Sequence, residues 1–184
     1  MNISLSLKIA VLTWVGIGSA TQLSRPAPDL GSMTTLILVR HAEKSDDGTS
    51  DPPLTAEGEI RARQLAYQLH HIPLDAIFST PYQRTRQTVL PTAREKNLEI
   101  RLYQPDDSGF LDRMLQELSG KTLLIAGHSN TIPVLVNRLL GRDQYPLLDD
   151  HVYDNLFIAS VPEAGPARIL RLRFGAPTPE GQEP

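Results

Sequence analysis

Two histidines stand where unbroken apolar runs end. Leu36, Ile37, Leu38 and Val39 lead into Arg40-His41, and Thr122 to Ala126, reading TLLIA, leads into Gly127-His128. A guanidinium binds the oxygens of a phosphate through its planar fork, and a neutral imidazole nitrogen can attack phosphorus and become a covalent intermediate. Arg40 beside His41 therefore offers a cation and a nucleophile together. Taken alone, an Arg-His pair fits equally an ion-paired arginine and a satisfied core histidine. The repetition at His128, and a further Arg84 and Arg86 after a third short apolar run, Ala76 to Ser79, turn the reading towards phosphate chemistry. His128 also precedes a helix from about Ile132 to Leu140, whose N-terminus favours an anion.

Position is what makes these residues a set. The apolar runs do not alternate with polar residues, so both faces of each strand are expected to be buried, as in the centre of a parallel sheet. In open α/β sheets the ligand crevice lies beyond the carboxyl ends of the strands, where Arg40-His41 and His128 would then meet. Ser45 to Pro53, rich in Asp, Gly, Ser and Pro, reads as a surface loop. Thr55 is placed to cap a helix with Glu57 and Glu59 in its first turn and Ile60, Ala62, Leu65, Ala66 and Leu69 as its buried stripe. Arg84 and Arg86 lie in the opening turn of a helix running to about Lys96. Two residues apart on a helix point differently, so only one of them is expected to face the crevice. Glu99 to Tyr103 is a third strand, Gly109 to Leu118 a helix, and Leu156 to Val161 and Arg168 to Phe174 two closing strands. In the last of these Leu170, Leu172 and Phe174 alternate with arginines, which reads as a half-exposed strand.

With 184 residues, 40% hydrophobic and 21% charged, the chain fits one domain. A net charge of -3 gives no general attraction to nucleic acid, and none is expected as a partner. There is no cysteine, which excludes disulfides, thiolate zinc sites and a cysteine nucleophile. The five histidines show no HxxxH spacing, and no metal or cofactor is expected. Lys8, the apolar stretch Ile9 to Ile17 and Gly18-Ser19-Ala20 form the pattern of a secretion signal over residues 1–20, too short for a stable membrane span and cleaved after Ala20. The expected location is periplasmic or secreted, or cytoplasmic if translation starts at Met33. Residues 21–32 read as a linker, 33–174 as the domain and 175–184 as a disordered tail.

Four segments, RHAEK at Arg40 to Lys44, LTAEG at Leu54 to Gly58, STPYQRTRQT at Ser79 to Thr88 and GHSN at Gly127 to Asn130, resemble in order the motifs of the histidine phosphatase superfamily, also called phosphoglycerate-mutase-like. The resemblance implies an α/β fold, three-layer α/β/α with a mostly parallel central sheet. It implies that His41 is phosphorylated, that Arg40, Arg84 rather than Arg86, and His128 bind the phosphoryl group, with Asn130 a further substrate contact, and that no metal takes part. Mutase-like members carry a glutamate acid after the third strand. Here that segment is Leu102 to Asp107, so the acid is expected at Asp106, with Asp107 and Glu43 as alternatives. In the acid-phosphatase branch an aspartate follows the second histidine, and here Ser129 stands there.

Only about 40 residues separate Arg84 from His128, too few for a large lid that would keep water from a reactive intermediate. The expected function is metal-independent hydrolysis of phosphomonoesters or phosphohistidine on a small molecule or a phosphoprotein. The alternatives are mutase-type phosphoryl transfer and a non-catalytic phosphate-binding module. The sequence assigns no oligomeric state.

Overall fold

The computed structural model describes residues 33–177. The expected signal segment 1–20, the linker 21–32 and tail residues 178–184 lie outside the described residues. Among the described residues six strands form one sheet: β1 (Thr34–Arg40), β2 (Ala76–Ser79), β3 (Ile100–Leu102), β4 (Thr122–Gly127), β5 (Asn155–Val161) and β6 (Arg168–Arg173). Their order is β3-β2-β4-β1-β5-β6. β3, β2, β4 and β1 run parallel, while β5 pairs antiparallel with β1 and β6 antiparallel with β5.

Helices α1 (Ala56–Gln68), α2 (Gln83–Lys96), α3 (Phe110–Glu117) and α4 (Thr131–Leu140) cover the two faces. Successive strand residues point to opposite faces, so each central strand feeds two cores. Leu36, Leu38, Leu123 and Ile125 pack with Phe110 and Met114 of α3 and Ile132 and Val136 of α4. Ile37, Val39, Leu124 and Ala126 pack with Leu65 of α1 and Val89 and Ala93 of α2. This is the three-layer α/β/α arrangement with a mostly parallel sheet, and the unbroken apolar runs are what allow burial from both sides.

Three details depart from the sequence expectations. Ile60 is 48% exposed, whereas Arg61 is buried. The inward face of α1 carries Gly58, Arg61, Ala62, Leu65 and Ala66, a helical repeat that Ile60 misses. Arg61 is tolerated inside because Glu43 holds it in a bidentate pair and the carbonyls of Phe174 and Ala176 accept from its Nη1 and Nη2. The same bonds tie Phe174 and Ala176 to α1, so the first residues of the segment expected as a tail are placed against the domain. On β6, a sheet edge, Leu170 is 63% exposed as well as the arginines, while Ile169 packs against the core. Arg171 and Arg173 are tied to Asn155 and Asp154.

The first two sequence motifs pack on each other. Thr55 Oγ1 caps α1 by accepting from Gly58 N, and Thr55 N donates to the Glu43 carbonyl at 2.9 Å. A Cβ on Gly58 would collide with that same carbonyl oxygen. LTAEG thus carries α1 hard against the chain leaving β1.

Candidate active site

The register of the sheet places the two histidines side by side. β1 and β4 are adjacent and parallel with Arg40 opposite Gly127, and His41 N donates to the Gly127 carbonyl at 2.9 Å, extending the ladder one residue past the strand. The imidazole centroids of His41 and His128 are 5.4 Å apart, edge to face. β2, on the other side of β4, ends at Ser79 and leads through Thr80 to α2, whose first turn carries Arg84. β1, β4 and β2, three of the four parallel strands, therefore deposit chemistry at one edge, as expected for such a sheet.

A solvent-open pocket of about 390 Å³ lies there, lined by Arg40, His41, Arg84, His128 and Asn130 together with Lys44, Tyr82 and Asp150. Arg84 faces the pocket and Arg86 is exposed elsewhere on α2. Arg40 is buried, with Nη1 donating to the carbonyls of Asp149 and Val152 at 2.7 and 2.9 Å. Its guanidinium lies 4.3 Å above the Tyr153 ring, and that of Arg84 lies 4.5 Å above Tyr82. Arg40 Nε and Arg84 Nε and Nη1 are buried without a hydrogen-bond partner. Buried guanidinium N–H groups left unpaired are costly, so the arrangement suits an anion that would accept from them.

The His41 ring is oriented by a backbone carbonyl. Its Nδ1 lies 2.8 Å from the Ala42 carbonyl, which can only accept, so Nδ1 carries the proton and Nε2 keeps its lone pair. Burial, and then the charges of Arg40, His128 and Arg84, lower its pKa to about 3 against the opposing effect of the Ala42 bond. His128 is lowered to about 4 by burial, Arg84 and Arg40. Both rings are neutral in the empty site at physiological pH. His128 Nε2 meets Thr80 Oγ1 at 3.0 Å, a hydroxyl that can donate or accept, and its backbone N–H donates to Thr131 Oγ1 at 2.7 Å. Burial also lowers the pKa of Arg40.

Thr88 joins the strand end to the helix. Its hydroxyl accepts from Ala42 N and donates to the Arg84 carbonyl, each at 2.8 Å, locking His41 and Arg84 to one fully buried side chain. The loop 45–54 is pinned to α2 by Gln83 N to Asp51 and Leu54 N to Gln87.

The acid expected at Asp106 is not in this pocket. Asp106 lies in the neighbouring cleft, because the chain after β3 turns towards α3. Asp107 receives Gly109 N and pairs with Arg113, and Glu43 is held by Arg61. The carboxylate lining the pocket is Asp150, fully exposed and 3.7 Å from Arg40 Nη2. Asp150 and Tyr153 escaped sequence reasoning because they arrive on a loop more than a hundred residues from Arg40, with no local signal. Tyr82, Thr80 and Thr88 sit inside STPYQRTRQT and could have been found from that motif. Among the described residues, no group of three or more His, Asp or Glu side chains is arranged to hold a metal ion.

Residues 36–104 match the sequence profile of the histidine phosphatase superfamily, branch 1. That stretch contains Arg40, His41 and Arg84, while His128 lies beyond it and reaches the site through the pairing of β4 with β1. A curated relative, phosphoserine phosphatase 1 of Hydrogenobacter thermophilus, is 36% identical over 99 residues, covering 48% of this chain and 47% of the relative. The chain thus spans about half the length of that relative. Among solved structures, the protein histidine phosphatase SixA complexed with tungstate superposes with a TM-score of 0.65 at 20% identity, over 76% of this chain and 96% of SixA. A mycobacterial glucosyl-3-phosphoglycerate phosphatase gives 0.60 at 14% identity, over 74% and 97%. At these identities the structural likeness establishes the fold.

Proposed function

We propose that the chain is a member of the histidine phosphatase superfamily, whose profile its residues 36–104 match, and that it hydrolyses phosphomonoesters through a phosphohistidine formed on His41. The observation that carries this reading is the pairing of a deprotonated Nε2 on His41 with buried guanidinium nitrogens on Arg40 and Arg84 that have no hydrogen-bond partner, Arg84 Nη1 having only the Asp51 carboxylate at 3.7 Å. The cations draw the phosphoryl oxygens in and balance charge as it spreads over them, which is most of what phosphoryl transfer asks of a protein. Nε2 attacks phosphorus, the P–O bond to the leaving group breaks, and the leaving oxygen takes a proton. Water then attacks the phosphohistidine, releasing phosphate and restoring His41. His128, across the ring edge from His41, adds a third donor once protonated against the bound dianion. The same phosphoryl dianion raises the pKa of both rings by its charge, so the low values belong to the empty site.

The open rim supports hydrolysis over mutase-type transfer. Lys44, Asn130 and Asp150 stand exposed around the mouth, and water has access to the intermediate. The leaving-group acid is assigned to Asp150 in place of Asp106. Asp150→Asn should slow hydrolysis of an alkyl phosphate far more than that of p-nitrophenyl phosphate, whose anion needs no proton; equal losses on both would remove the assignment. Relatives named for phosphoserine and phosphohistidine support a substrate that is a small phosphate ester or a phosphoprotein. Export through residues 1–20 belongs to the same proposal and is tested by the intact mass of the natively produced protein.

The direct test is phosphate release from p-nitrophenyl phosphate in EDTA. Turnover that survives the chelator and disappears in His41→Ala supports the reading. Absence of turnover with retained phosphate binding would make the protein a phosphate-binding module.

A further inference from the structure

A second cleft, of about 440 Å³, opens directly beside the phosphate pocket and shares Pro105 and Asn130 with it. Its chemistry is the opposite of its neighbour's. The floor is a stacked pair, Tyr103 on Phe110, with centroids 4.1 Å apart and planes within 10°. Tyr103 turns its hydroxyl away to the Ala126 carbonyl at 3.1 Å, leaving its ring to the cleft. Two apolar side chains stand at the walls largely uncovered, Val134 of α4 at 55% exposure and Leu147 at 58%. The cation in the cleft, Arg138, is already committed to Asp112 at 2.5 Å and to the Ser108 carbonyl. Asp107 is paired with Arg113. Asp106 is left as the cleft's carboxylate without an ion-pair partner among the described residues.

We propose that this cleft receives the leaving group of the substrate, and that the substrate is a small phosphate monoester of an apolar alcohol, alkyl or aryl, without a second anionic group near the ester. The inference rests on the phosphatase reading above. Continuity decides the occupant: a group attached to a phosphate between Arg40 and Arg84 passes Pro105 and Asn130 and meets the aromatic floor. A volume of this size lies within the range of small-molecule sites. Charge selects against a carboxylate or second phosphate there, because Arg138 is engaged and Asp106 repels anions. The exposed Val134 and Leu147 supply apolar surface that the fold itself does not cover.

Binding of alkylphosphonates, which cannot be hydrolysed at the P–C bond, separates this from the chemistry. Calorimetry on the full chain with ethyl-, butyl- and hexylphosphonate should show affinity rising with chain length. At about fourfold per fully buried methylene, partial burial still predicts hexylphosphonate at least tenfold tighter than ethylphosphonate. In the double variant Val134→Asp, Leu147→Asp that ratio should fall to about threefold or less, and Val134→Thr, which keeps the shape of the side chain, should lower it part of the way. Equal affinities along the series in the wild-type protein, or a ratio kept intact in both variants, overturns the proposal. Ethyl and hexyl phosphate hydrolysis is followed alongside. Chain-length-dependent binding without phosphate release from either ester sinks the phosphatase reading and leaves the cleft standing. Release with no chain-length effect on binding sinks the cleft and leaves the phosphatase reading standing, and efficient release from a phosphoprotein in that case points to a macromolecular substrate.

Discussion

The ends of β1 and β4 are built to one plan and finished differently. Each is an apolar strand buried on both faces that stops on a histidine, and the two lie in register on neighbouring strands. At the end of β1 every group is fixed: His41 Nδ1 on the Ala42 carbonyl, Ala42 N on Thr88, His41 N on Gly127, and Arg40 on two loop carbonyls. At the end of β4 the imidazole is only partly buried, edge-on to the rings of His41 and Tyr82, and its one ring hydrogen bond is to a hydroxyl that can reverse its role. A nucleophile has to present one lone pair in one direction, and the fixed ring does so. A residue that takes up and gives back a proton as the dianion arrives and leaves needs a partner that tolerates both states, and Thr80 is such a partner.

Removing each imidazole breaks the comparison most severely. His41→Ala should reduce kcat by at least about 10⁴-fold, because the covalent route disappears, while His128→Ala should cost on the order of 10²-fold, the scale of one lost electrostatic contact in the transition state. Stopped-flow and steady-state kinetics on p-nitrophenyl phosphate measure both, and losses of equal size would mean that the two rings share the nucleophilic role.

The helix arginines give the next largest contrast. Charge-assisted bonds are worth ~1.5–3 kcal/mol each, so Arg84→Ala should lower kcat/KM by at least about tenfold. Arg86→Ala, on the outer face of α2, should leave it within about twofold. A comparable loss at Arg86 would place the anion elsewhere on the helix.

Smaller effects separate the supports of the two rings. Thr88→Val leaves the buried Ala42 N–H without an acceptor and should destabilise the protein by about 1–3 kcal/mol in denaturant unfolding. Thr80→Val, beside a half-buried ring that water can reach, should cost under about 1 kcal/mol and act instead on the pH dependence of turnover. The reverse ranking would assign the rigid support to β4.

The pH dependence of stability follows from the low pKa values. The two imidazoles titrate near 3 and 4 in the folded empty site, against an ordinary value of 6.5. Between these limits the unfolded chain binds more protons than the folded one, so stability rises with pH across the window and is lost as pH falls below about 6.5. The Tm of the empty protein should therefore drop faster from pH 6.5 to 5 than that of His41→Asn. Inorganic phosphate, which favours the protonated rings, should shallow the wild-type slope. An unchanged slope in His41→Asn would show that this ring is not held neutral by its surroundings.

The legible and illegible parts of the site divide by distance along the chain. Arg40, His41, Arg84 and His128 were readable because each stands within a few residues of the end of a buried strand, where the apolar pattern itself announces the position. Asp150 and Tyr153 were not, since the loop that carries them is placed by Arg40's bonds to the carbonyls of Asp149 and Val152 and by Leu148 N on Ser129. Asp106 follows β3 as expected but lines the neighbouring cleft, because the direction in which the chain leaves that strand is set by packing on Phe110. Ile60 is exposed because Arg61, buried and paired with the half-buried Glu43, takes the inward position that hydrophobicity alone gives to isoleucine.

The central claim is that His41 forms a covalent phosphoenzyme, and rapid quenching of the enzyme during turnover of a ³²P-labelled monoester tests it most directly. A phosphoramidate is labile in acid and stable in base, so wild-type protein should carry label with that profile on the peptide containing His41, and His41→Ala should carry none. Label that persists in His41→Ala, or label on the wild-type peptide that survives acid, would contradict the account.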